Sequence, residues 1–164
     1  MAEGTRIIRP NRAKASSKLT RIVVALLLVI SAVLVTVVTI GGWERLVGMK
    51  LIQIGYAVLY LVMAFLVLRW NRGVLPLAAA LAIILAIFAG IAGPEWFARD
   101  KAGFTSPTLD EAFLGAITLL IIPVQLLLIV ASTIGFRQAW NVEEEIGEEP
   151  GYGPGPPRPH PQPA

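Results

Sequence analysis

A chain of 164 residues has the length of one domain. Its hydrophobic share is 55% and its charged share only 15%, against roughly 25% charged in ordinary soluble domains, and those charges are not spread evenly. The net charge of +3 comes from bases that flank apolar runs, which argues against nucleic acid as a partner; cysteine is absent, removing disulfides, thiol catalysis and cysteine-held metal.

The first 21 residues carry Arg6, Arg9, Arg12, Lys14, Lys18 and Arg21. Such a basic tail suits the cytoplasmic side of a membrane, where each charge near anionic lipid headgroups is worth about 1 kcal/mol. Ile22 to Ile40 then reads IVVALLLVISAVLVTVVTI, long enough to cross a hydrocarbon core of roughly 30 Å as a helix. It exceeds the 7–15 residues of a signal core, and no small-x-small cleavage pattern closes it. The first span is expected at about residues 22–42.

The second apolar run, Leu51 to Leu68, predicts a span at about 50–69. Gln53, Tyr56, Tyr60 and Met63 recur at three, four and three residues, and so share one helix face. That face either lines a pocket or hydrogen-bonds to neighbouring helices. The short RWNRG that follows predicts an antiparallel neighbour in the third span, at about 74–93. There Ala78, Ala82, Ala86 and Gly90 lie four apart, with a second pair at Ala89 and Gly93. Small residues at that spacing let helices approach closely in lipid.

Pro94 is expected to end the third helix. The loop 94–108 gathers Glu95, Asp100, Asp110 and Glu111 at and just beyond it, without any metal-ligand spacing. TLDEAF predicts a helix start with Thr108 as N-cap and Glu111 three residues on. The fourth span, at about 109–138, contains IIPVQ: Pro123 predicts a kink, and Gln125 is the one strongly polar group beside it. Beyond it lie VEEEIGEE and a tail holding seven of the twelve prolines. Residues 142–164 are therefore expected to be disordered, first acidic and then proline-rich.

The expected fold is all-α: an integral membrane, up-down bundle of four transmembrane helices over residues 22–141, with disordered termini. Ten Lys and Arg fall on the side of the amino terminus and four on the other, so both termini are expected to be cytoplasmic. Trp43, Trp70, Trp96 and Trp140 all fall near predicted span ends, where indoles favour the headgroup layer. The abundance of Ala, Val, Leu, Gly and Arg points to a bacterial inner membrane as the plasma membrane concerned.

No Asp, Glu, Lys, Arg or His lies within the four apolar runs, which counts against proton pumping, voltage sensing and intramembrane metal chemistry. No cofactor, metal site or catalytic residue is expected. The leading expectation is a non-catalytic accessory or scaffold subunit, packing through Ala78, Ala82, Ala86 and Gly90 against another copy or a membrane-protein partner. The alternative is a carrier or binder of a small neutral or lipophilic molecule, with Gln53, Tyr56, Tyr60 and Gln125 as its intramembrane polar pocket. An enzyme using the loop acids at the outer face ranks third.

Because the chain has no cysteine, a single introduced thiol reports its own side of the membrane. In intact cells a membrane-impermeant maleimide should label Glu44→Cys, and label Lys14→Cys only after permeabilisation. The reverse pattern would invert the topology.

Overall fold

The computed structural model describes residues 6–99 and 107–146. Asp100, Lys101 and everything beyond Ile146, including the proline-rich tail, lie outside the described residues. The elements in chain order are β1 (Arg6–Ile8), α1 (Pro10–Ala13), α2 (Ala15–Gly41), α3 (Lys50–Leu68), α4 (Val74–Arg99), α5 (Glu111–Arg137) and β2 (Glu144–Ile146). The four long helices α2 to α5 are each long and apolar enough to cross a membrane. They alternate up and down as a bundle, so both described chain ends meet at one end of it, the terminal end; the Gly41–Met49 connection marks the other, the loop end.

Neighbours in space are not simply neighbours in sequence. α2 packs on both α3 and α5, and α4 packs extensively on α5, whereas α3 and α4 touch little despite their short connection. The order across the bundle is therefore α3, α2, α5, α4. A tight turn obliges two helices to be close only at that turn; what they do further along depends on side chains.

Close packing of α4 on α5 is built from glycines. A Cβ at Gly93 would lie 2.4 Å from Leu119, and one at Gly115 would lie 2.7 Å from the Phe97 ring. Each helix thus offers a glycine notch to a large side chain of the other, and in lipid such contact drives association. Tight packing also accounts for Pro94. The helix runs through it to Arg99 instead of stopping. A mid-helix proline costs about 3 kcal/mol, but here Trp96 is 3% exposed and Phe97 sits over Gly115, which holds the last turn in helical form.

The start of α5 also differs from expectation. Asp110, not Thr108, is the N-cap, its Oδ1 accepting from the Phe113 N–H at 3.0 Å. Leu109 is held outside the helix because its N–H donates to the Gly41 carbonyl at 3.3 Å. Its side chain also covers Gly41, where a Cβ would meet it at 2.6 Å.

At the terminal end the structure is more ordered than two free tails. β1 and β2 pair antiparallel with Ile7 opposite Glu145, and Arg9 forms an ion pair with Glu143 beside them. Both partners are nearly half exposed, and such pairs contribute little. Backbone pairing and arginine contacts do more. Arg12 donates to the Trp140 carbonyl at 3.2 Å and to Asn141 at 3.0 Å, and Asn11 donates to the Ala139 carbonyl at 3.1 Å. Partial burial first, then the neighbouring Arg9 charge, push the Arg12 guanidinium below its ordinary pKa, and Glu143 opposes this.

Two residues adopt left-handed backbone there, Trp70 at φ 64° and Ala139 at φ 49°. Trp70 closes α3, its N–H bonding Val67 O and the next N–H bonding Leu66 O. That is the cap in which glycine usually stands, and a side chain there costs roughly 1–2 kcal/mol. Compensation is visible: Trp70 meets fully buried Trp140 edge-to-face at 5.5 Å, and the Arg21 guanidinium lies 4.2 Å from the Trp70 ring centre.

Gly42 offers the sharpest packing test. A Cβ there would stand 2.5 Å from the Trp96 ring and 3.0 Å from the Val38 carbonyl oxygen. Gly42→Ala should cost ~1–3 kcal/mol in a reversible unfolding titration. Gly55→Ala, with nothing within 4 Å, should be neutral or stabilising by up to ~1 kcal/mol.

Candidate functional site

The divergence of α3 from α4 leaves a cleft in the loop-end half of the bundle. Its volume is about 190 Å³. Val35 and Val38 of α2 and Ile121 of α5 form its floor; Ile52, Gln53 and Tyr56 form the α3 wall; Leu85, Phe88 and Ala89 form the α4 wall. Trp96 closes the loop end. Ile52, Phe88 and Ile91 are exposed, so the cleft opens sideways where lipid tails lie.

Polar groups in the cleft are few. The Thr118 hydroxyl donates to the Leu114 carbonyl at 2.7 Å and is thereby occupied. Gln53 is half-buried, and its Oε1 lies 2.7 Å from the Thr39 hydroxyl of α2. That hydroxyl also lies 2.6 Å from the Val35 carbonyl, and its single proton serves one acceptor at a time. The Gln53 amide nitrogen has no partner among the described residues. It is the donor that an occupant of the cleft would meet.

The four pocket residues read from the sequence separate into two groups. Gln53 and Tyr56 line the cleft. Tyr60 and Gln125 do not; both are fully buried deeper in the bundle. There the Tyr60 hydroxyl donates to Gln125 Oε1 at 3.0 Å, and Gln125 Nε2 donates to Ser31 Oγ at 2.9 Å. Ser31 in turn donates to the Leu27 carbonyl at 2.7 Å. One chain of hydrogen bonds thus ties α3, α5 and α2. The two groups touch through Tyr56 and Tyr60, whose rings stand edge-to-face at 5.7 Å.

The small-residue row of α4 is also divided. Ala78 and Ala82 are fully buried, Ala86 is half-buried and Gly90 is exposed. Burial continues instead through Leu85, Ala89 and Gly93, because 3.6 residues per turn carries a strict four-residue row slowly around the helix. Sequence reasoning missed Ser31 and the α4 wall of the cleft. Ser31 stood out only as a hydroxyl in an apolar run. Leu85, Phe88 and Ala89 carry no signal, since apolar residues in a membrane helix look alike whether they face lipid or a cleft.

Of the four loop acids, Asp100 lies outside the described residues. Glu111 is buried with Oε1 unpartnered among the described residues, Asp110 is the α5 cap, and Glu95 is exposed. Among the described residues no cluster of His, Asp or Glu suits a metal ion. Comparison with protein-family models, curated proteins and solved structures returns no match.

The buried chain can be tested by a double-mutant cycle with Tyr60→Phe and Gln125→Leu. A coupling energy of about 0.5–1.5 kcal/mol is expected, in the range of hydrogen bonds inside membrane proteins. Tyr60→Phe combined with Thr133→Val should show none, because Thr133 is exposed and bonds only its own helix at Ile129.

Proposed function

We propose that this protein binds a lipophilic molecule in the cleft between α3 and α4 and performs no chemistry on it. The observation that carries this reading is the cleft itself: an apolar slot, open to the bilayer, with one uncommitted amide at Gln53. A slot of about 190 Å³ is smaller than the roughly 300–1,000 Å³ of sites that enclose a drug-sized ligand. It suits part of a molecule, such as a hydrocarbon chain entering from the side. The membrane setting is a plasma membrane, bacterial by composition, with both termini cytoplasmic. The distribution of bases supports this orientation, ten to four. Arg9, Arg12 and Arg21 are engaged within the terminal end and Lys14 donates to Asn11 Oδ1 at 2.7 Å, which leaves exposed Lys18 as a contact for anionic headgroups.

A second reading, an accessory or scaffold subunit, keeps one observation in its favour. A Cβ at Gly90 would meet nothing closer than Ile122 at 4.0 Å, so the Ala86–Gly90 part of the row remains open to a helix from a partner or a second copy.

Photolabelling separates the two. A diazirine-bearing fatty alcohol should label peptides containing Ile52 to Tyr56 and Leu85 to Ala92, and Ala92→Phe should reduce that labelling at least severalfold. Labelling spread evenly over all four helices would defeat the binding role. Crosslinking through Gly90→Cys into a dimer would support the scaffold.

A further inference from the structure

We infer that the occupant of the cleft is an acyl ester of a bilayer lipid, its ester carbonyl accepting from Gln53 and its chain lying in the slot. This rests on the cleft being a binding site and adds the group that the site recognises, whatever the headgroup.

Gln53 stands at the level where ester carbonyls lie in a bilayer. The Lys50 ammonium sits over the Trp43 ring, 4.5 Å from its centre, and an indole beside a cation belongs in the headgroup layer. Gln53 follows three residues further along α3, roughly 5 Å deeper at 1.5 Å per residue. Ester carbonyls form the layer between headgroups and hydrocarbon, so a lipid entering sideways brings one to this level without being displaced in depth. The deeper lining, Val35, Leu85, Phe88 and Ile121, is apolar and takes the chain.

The chemistry of the lining selects an uncharged acceptor. Among the described residues no Asp, Glu, Lys, Arg or His lines the slot. A fatty acid would bring its carboxylate there unpaired, and burying such a charge is costly. A carbonyl brings two lone pairs and no proton. It satisfies the Gln53 amide nitrogen, which has no partner among the described residues, and needs no acceptor in return. An alcohol brings a proton as well, and that proton would compete with the Thr39 hydroxyl, 2.7 Å away, for Gln53 Oε1. The Leu114 carbonyl already accepts from Thr118 at 2.7 Å. An alkyl chain alone would leave the amide unsatisfied.

The test is native mass spectrometry of the full chain in detergent, offered two phosphatidylcholines with identical chains, one joined to glycerol by esters and the other by ethers. The pair differs only at the carbonyls, and the shared zwitterionic headgroup removes charge from the comparison. The ester lipid should be retained about fivefold more than the ether lipid, the effect expected of one net hydrogen bond. Gln53→Met should bring the two to equality by weakening ester retention alone; if that variant does not fold, the comparison on the unaltered chain decides the ester by itself. Ala92→Phe should abolish retention of both with helical content intact; Ile52→Trp, at the exposed lip, serves if that variant does not fold. Retention of both lipids unaffected by filling the slot would overturn the cleft as well. Retention lost on filling, but with ester and ether held equally by the unaltered chain, would leave the cleft standing as a hydrocarbon slot and overturn the ester. A preference that survives Gln53→Met would overturn Gln53 as its donor. Displacement of the ester lipid by an equal amount of an alkyl naphthoquinone, whose carbonyls belong to a ring, would overturn the lipid as occupant.

Discussion

At the loop end, the indole of Trp96 lies where any side chain on Gly42 would have to be, and it is nearly inaccessible. That contact holds the last turn of α4 against the end of α2. α4 is committed to α5 along its length by Gly93 under Leu119 and Gly115 under Phe97. α3 leaves the same α2 on its other side. With both positions taken, α3 and α4 cannot close on each other, and the space between them becomes the cleft. Its floor is therefore made of α2 and α5, and its cap is the ring that created it.

The opposite end is fastened by different means. Packing of glycine against large side chains gives way to guanidiniums over indoles, carbonyls accepting from Arg12, Asn11 and Arg72, and a short strand pair. These are interactions of a layer that is neither dry nor fully aqueous, where a cation keeps some hydration while its charge meets a ring face. Left-handed Trp70 and Ala139 show that the backbone accepts strain there to bring two indoles together. The middle of the bundle is tied by a chain of hydrogen bonds, Tyr60 to Gln125 to Ser31.

Much of the architecture was legible in the sequence. Twenty-residue apolar runs permit little besides spanning helices, since lipid offers no partner to a peptide group. The helix count, the meeting of the two ends and the short turns followed. The order of packing did not. RWNRG implies neighbours, yet α3 and α4 diverge, because the decision is made by Trp96 and Gly42, far apart in sequence, and the span-end position of Trp96 does not reveal that its ring covers Gly42. The helix through Pro94 and the cap at Asp110 were likewise decided by tertiary contacts, at Phe97 and at Leu109. Of the polar pocket, Gln53 and Tyr56 line a cavity while Tyr60 and Gln125 bond to each other. Sequence spacing identifies a common face on α3 but cannot say what stands opposite each turn of it.

The reciprocal notches on α4 and α5 bear on how the bundle is able to move. A side chain seated in a glycine recess resists sliding, because the helix must lift by about the thickness of a methyl group before it can advance. Two such seats facing opposite ways block shear in both directions. α4 and α5 therefore act as one stiff slab. α3 is tethered at Arg69 to Gly73, packs on α2 and is bonded to α5 through Tyr60 and Gln125, so the width of the opening depends on how this one helix tilts about those points.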